Sequence, residues 1–192
     1  MTVFNRSGSV SSTKFDVHEH PDLFLRVAVG ILFLPDQYLG YDDTIDLVKN
    51  EIWVKGKAYP IDSVIYQEPS LRGRGTVCFK VVIDGKFGVV KDSWVDNSRV
   101  EKEWKLLEEA KGVDNVAQMV DHEILQYRDA DDSTERDLFF VKESRRTEIR
   151  THVRLLVTPF GTPIYNFRNK RELLQAFIDI VKSEYPYPDM AQ

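Results

Sequence analysis

The stretch that most constrains the chain is VCFKVVIDGKFGVVKDSW, residues 77–94. Two apolar runs, Thr76–Ile83 and Lys86–Lys91, flank Asp84-Gly85. An aspartate–glycine pair between such runs predicts a two-residue β-hairpin, because both residues tolerate positive φ. The second run closes on Lys91. A lysine ending an apolar strand is either a snorkelling surface charge or a cation at the mouth of a pocket.

Around this hairpin the apolar period is two. Ile52–Val54 and Ala58–Ile65, broken near Pro60, read as strands. MVDHEIL, LFFVKES and HVRLLVTPF follow as further strand candidates. Three segments carry helical spacing instead. HPDLFLRVAVGILFL places Pro21 and Asp22 in a first turn, repeats apolar residues at Leu23, Val27, Ile31 and Leu34, and stops at Pro35. Its composition predicts a buried helix. Arg99–Lys111 is the second helix, with Ser98 and Glu101 spaced as a capping box and Glu103 between Val100, Trp104 and Leu107 on one face. NKRELLQAFIDIVKSEY is the third, with Leu173, Phe177, Ile180 and Val181 on one side. QYRDADDSTERD is expected as a solvent-exposed loop. The result is an α+β fold, an antiparallel sheet with one packed helix plus an extra N-terminal helix and a C-terminal helix.

Function classes narrow on simple counts. The 192 residues hold 26 Lys and Arg against 31 Asp and Glu, a formal charge of −5. That acidic balance excludes a general nucleic-acid binder. One cysteine, Cys78, excludes an internal disulfide framework and suits a reducing compartment. In a core strand its default role is that of a small apolar side chain. The longest apolar stretch, Leu23–Leu34, carries Arg26 and falls well short of the about 20 residues that span a bilayer. With no secretory leader visible, the chain reads as cytoplasmic or nuclear, without a membrane partner. His18 and His20 lie in a loose polar segment, and no metal-ligand spacing surrounds His122 or His152.

Four features follow in order: Gly73-Arg74-Gly75 entering a strand, the hairpin ending on Lys91, a helix carrying Glu103, and a strand, Val153–Val157, running into Thr158-Pro159-Phe160-Gly161. Glycines at a strand turn let backbone approach a phosphate. A lysine on the following strand reaches the α- and β-phosphates, and a helix glutamate holds that lysine as an ion pair. A strand entering a Pro/Gly connector supplies backbone groups for an adenine ring.

With these stretches the sequence resembles the fungal-type protein kinase domain family. NRSGSVSS, DLFLRVAVGILFL, SLRGRGTVCFKV, VVKDSW with EKEWKLLEEAK, and THVRLLVTPFGTPIYNFRNKRELLQAFIDIV carry the resemblance. It implies a family-specific extension over residues 1–50, a kinase-like N-lobe and hinge over 51–168, and a first C-lobe helix with a truncated tail over 169–192. It also implies that Lys91 anchors phosphate, that Glu103 pairs with it, that Gly73 and Gly75 cover the nucleotide, and that Thr158, Phe160 and Gly161 form the hinge.

Three departures stand beside it. Lys91 and Glu103 lie closer in sequence than is usual in protein kinases, so a short or tilted helix is needed to bring them together. In a G-x-G-x-x-G pattern, Gly73 as first glycine puts Cys78 third, whereas Gly75 as third puts Ser70 and Arg72 before it. No HRDxxxxN or DFG segment follows the hinge, and Tyr127-Arg128-Asp129 precedes it, with Thr134 where the asparagine would stand. The expectation is a pseudokinase-like, ATP-binding lobe that binds ATP weakly at most, has no magnesium site without those loops, and transfers no phosphate alone. The alternative is a kinase-like binding or scaffold module. It would meet a protein partner or a second copy through residues 169–185, whose apolar face would otherwise stay in water.

Overall fold

The computed structural model describes residues 2–136 and 148–184. Eleven strands are described. They are β1 (Thr2–Asn5), β2 (Gly8–Ser11), β3 (Ile45–Asp46), β4 (Glu51–Val54), β5 (Lys57–Gln67), β6 (Val77–Ile83), β7 (Lys86–Asp96), β8 (Gln118–Ile124), β9 (Gln126–Tyr127), β10 (Ala130–Asp131) and β11 (Arg150–Thr158). Helices are α1 (Pro21–Phe33), α2 (Glu103–Glu109) and α3 (Lys170–Glu184). A curled seven-stranded antiparallel sheet runs β3-β4-β5-β6-β7-β11-β8, and β1–β2 and β9–β10 form separate two-stranded ribbons. The architecture is mixed α and β and fits the α+β expectation. Among the described residues no helix is long and apolar enough to cross a membrane.

The aspartate–glycine hairpin forms as its residues dictate. Asp84 and Gly85 take φ of 48° and 79°, and Ile83 pairs with Lys86. Both values being positive, the turn carries the twist that two paired strands require. β7 does not stop at Lys91. It continues to Asp96, where the Asp96 carboxylate accepts hydrogen bonds from the Ser98 N–H and hydroxyl at 2.8 and 2.7 Å. Lys91 is therefore a mid-strand residue with sheet on both sides. Pro60 likewise does not break β5, where it pairs with Glu51 of β4. Against β6 the strand shifts register between Ile61 and Ser63 and again between Val64 and Tyr66.

Each sheet face has its own cover. Paired residues of antiparallel strands share a face, so Cys78, Lys91, Leu155 and His122 form one row. On that face α2 docks, with Trp104 stacked on His122 at 5.6 Å between ring centroids. Phe79, Val90 and Leu156 form the opposite row, and there Ile52, Val54, Tyr59 and Val81 complete the buried core. The curl that folds β4 over the sheet thus places the main hydrophobic cluster behind Lys91.

Helix expectations need correction. α2 begins at Glu103, four residues later than predicted, since Asp96 claims the Ser98 side chain that would have capped it. Val100 lies outside the helix and is almost fully exposed. α1 has no buried residue, and Leu32 and Phe33 face solvent. Its apolar composition predicted burial, but burial needs a facing surface and none of the described residues encloses it. The exposed loop expected at 126–137 instead contains the β9–β10 ribbon, and Thr134 is buried. The strand expected at LFFVKES lies outside the described residues.

Candidate nucleotide site

The loop joining β5 to β6, residues 68–76, arches beside Lys91. Lys91 Nζ donates to both carboxylate oxygens of Glu103 at 2.6 Å each. Lys91 is the more buried partner, and Glu103, opening α2, is partly exposed. The sheet fixes one end of this pair and the Trp104–His122 stack fixes the other.

A pocket of about 390 Å³ opens in front of the lysine, lined by Tyr66, Glu68, Arg74, Thr76 and Lys91. Glu68 accepts from the Ser70 hydroxyl at 2.7 Å and from the Thr76 N–H at 3.3 Å. The Ser70 hydrogen bond, then the Thr76 N–H, hold its carboxyl below the usual range, with Arg74 and Arg6 adding their charge. The loop is tied to the sheet where the Trp94 N–H donates to the Arg74 carbonyl at 2.8 Å. Cys78 shares Lys91's row; burial pushes its thiol up, against the pull of the Lys91 charge.

The two glycines have separate duties. Gly73 sits at φ 115°, and its N–H donates to the Arg6 carbonyl at 2.9 Å. Gly75 sits at φ 51°, and a β-carbon there would collide with the Arg6 guanidinium. What approaches the Gly75 backbone in this structure is a side chain of the β1–β2 turn. No local pattern in the chain announces that long-range contact.

At the other end of β7, the Phe160 N–H donates to the Phe87 carbonyl at 3.1 Å, extending the β7–β11 pairing beyond Thr158. That N–H is occupied, so it is not free for an adenine edge. Lys80 Nζ lies 3.7 Å from the Phe87 ring centroid and 5.2 Å from that of Phe160. Gly161 faces open space, so nothing steric demands a glycine there. Of the expected site residues Lys91 alone lines this pocket; Glu103 is bonded to Lys91, and Gly73 and Gly75 flank the lining residue Arg74 in sequence. Phe160 meets β7 at Phe87, four residues from Lys91 and about 13 Å away at strand rise.

A second polar cluster, missed in the sequence, lies on the opposite face. Arg154 is fully buried. Its Nε and Nη2 reach Asp92 at 3.3 and 2.7 Å, Nη2 also reaches Asp42 at 2.6 Å, and Nη1 reaches the Thr44 hydroxyl at 2.6 Å and the Trp53 carbonyl at 2.8 Å. All five guanidinium N–H groups have a partner. Beside it, His152 directs Nδ1 at Asp132, 3.1 Å away, and Nε2 at Asp92, 3.3 Å away. Burial pulls its pKa down, but the two carboxylates outweigh that and raise it to about 9. Burial raises Asp92, yet His152 and Arg154 bring it below its usual value. Asp42, Asp92 and His152 offer ligand atoms within 4.8 Å of one another. Arg154 and the imidazolium already supply the positive charge that such a set would ask of a metal.

The family model described as fungal protein kinase matches residues 1–138 and 138–185. The chain belongs to the fungal protein kinase family. No curated protein and no solved structure gave a match. Membership in the fungal kinase family gives the Lys91–Glu103 pair its context, since a strand lysine held by a helix glutamate is a recurring part of protein kinases.

Proposed function

We propose that this fungal kinase-family chain is a nucleotide-binding lobe that takes Mg-ATP weakly at the pocket in front of Lys91. The observation that carries the reading is the Lys91–Glu103 pair at 2.6 Å. Its chain order supports it: glycine-bearing loop, lysine strand, then glutamate helix, as in a kinase small lobe. In this reading Lys91 supplies a point charge to the α- and β-phosphates, and Glu103 keeps it aimed. The backbone around Thr158–Gly161, about 13 Å along the strand, lies near where the base would rest.

Weakness follows from charge. Lys91 and Arg74 face the pocket as cations, but Glu103 and Glu68 offset them. The pocket is open, so water screens what remains. Magnesium would arrive on the nucleotide, because Glu68 and Glu103 are already engaged by Ser70, Thr76 and Lys91. Phosphoryl transfer also needs a residue to orient the acceptor and carboxylate or amide ligands for magnesium. Residues 1–192 by themselves present no HRDxxxxN or DFG segment after the connector, so this stretch alone is expected to bind without transferring.

Isothermal titration with Mg-ATP tests the reading. Saturable heat lost in Lys91→Met, with the variant folded, supports it. A folded wild-type chain giving no heat rejects it. Turnover of ATP onto an acceptor protein, abolished by Lys91→Met, would reject the inactivity.

A second reading, a docking module acting through protein contacts, is favoured by α3. Leu174, Phe177, Ile178, Ile180 and Val181 are all exposed on this helix. An apolar stripe of that size in water favours self-association.

A further inference from the structure

The β1–β2 ribbon turns directly over the glycine loop, and it holds that loop at several points. The Arg6 carbonyl accepts from the Gly73 N–H at 2.9 Å. The Arg6 guanidinium donates to the Ser70 and Leu71 carbonyls at 2.8 and 3.3 Å. It also fills the space left by the absent side chain of Gly75. The neighbouring Ser7 is buried; its hydroxyl donates to Thr134, 2.8 Å away, and also contacts the Glu148 carbonyl. Within the turn, Asn5 Oδ1 accepts from the N–H groups of Ser7 and Gly8 at 2.9 Å each. The ribbon is therefore anchored on one side to the loop and on the other to Thr134 and to Glu148, just before β11.

These contacts use the groups a phosphate would use. Backbone N–H groups in a glycine-rich turn bind phosphate oxygens. Here a carbonyl oxygen of the chain occupies the Gly73 N–H. A guanidinium occupies the close approach that Gly75 permits. We infer that the β1–β2 ribbon is an intramolecular strap that competes with the phosphates of a nucleotide for the Gly73–Gly75 backbone. The inference rests on the nucleotide reading of this pocket and adds its regulation. In the strapped state the competent form of the loop is only a fraction of the population. Apparent affinity falls by that fraction, and freeing the loop restores it.

The test uses the full 192-residue chain with Arg6→Ala and, independently, Ser7→Ala, which loosens the other anchor without touching the loop. Deuterium uptake over residues 70–76 is measured without ligand, and Mg-ATP affinity by titration. Uptake is expected to rise in both variants, and affinity to tighten about tenfold in Arg6→Ala, the scale of one charge-assisted hydrogen-bonded anchor. Unchanged uptake in a folded Arg6→Ala chain overturns the strap. So does wild-type binding that Arg6→Ala leaves equal or weakens, a result that keeps the nucleotide reading. An absence of binding in wild type and both variants overturns the nucleotide reading and the competition with it. Wild-type binding that tightens in both variants supports both.

Discussion

Raising the pH through His152 is expected to unfasten the polar cluster behind the sheet. Both ring nitrogens face carboxylates, Asp132 at 3.1 Å and Asp92 at 3.3 Å. Two acceptors need two donors, so the ring carries both protons in the folded chain. Its Trp94 stack, with centroids 4.6 Å apart and planes 10° apart, adds a face that attracts the cation. The folded pKa is about 9 against 6.5 for the free side chain. Because the folded value is raised, the stabilisation is fully present below 6.5 and is lost as pH climbs through 9. At about 1.4 kcal/mol per pKa unit, the contribution is about 3 kcal/mol. Urea unfolding at about pH 6 and about pH 10 reads this loss directly. His152→Gln cannot titrate there, and subtracting its pH dependence removes that of lysines, tyrosines and Cys78. Equal losses in wild type and His152→Gln would refute the imidazolium, as would a wild type that gains stability across the window.

Two further outcomes follow from the same structure. Arg154→Ala leaves Asp92 buried without its main cation, and removal of one partner of a buried ion pair costs about 3–5 kcal/mol; chemical denaturation is expected to show that loss, with an unchanged midpoint counting against the cluster. Phe177→Asp places a charge in the exposed stripe of α3; sedimentation velocity is expected to show wild type associating at high concentration and the variant remaining monomeric, and a monomeric wild type would contradict the docking reading.

Local rules make the hairpin legible, since Asp84-Gly85 encodes its own turn. The Lys91–Glu103 pair follows from the family resemblance instead, and its short sequence interval is unusual for protein kinases. Competition between neighbours was harder to read. Ser98 stands correctly for a cap, yet Asp96 is two residues away and takes its hydroxyl, so α2 starts late. Composition misled for α1, because an apolar helix records what could be buried and not what faces it. The Arg154 cluster left a usable trace. Asp92 is in phase with Val90, and Arg154 with Leu156, so period-two alternation puts both charges on the core face. A buried charge demands a partner, and that rule pairs Arg154 with Asp92. Asp42, Asp132 and the Arg6–Gly75 contact come from distant parts of the chain, and no local pattern announces them.

The Arg154 cluster also sets an order of assembly. Asp42 and Arg154 are 112 positions apart, and the hydrogen bond to Thr44 spans 110. A ribosome exposes Asp42 and Thr44 long before it makes the arginine that fastens them. Until then β3 and the turn before it have carboxylate and hydroxyl groups but no buried cation to close on. Contacts of such long range form late, since the entropy of closing the loop is spent before the contact rewards it. The segment that covers the back of the sheet thus locks late, as does the β1–β2 ribbon, whose Ser7 reaches Thr134 across 127 positions. The chain needs β11 in place before its beginning can settle.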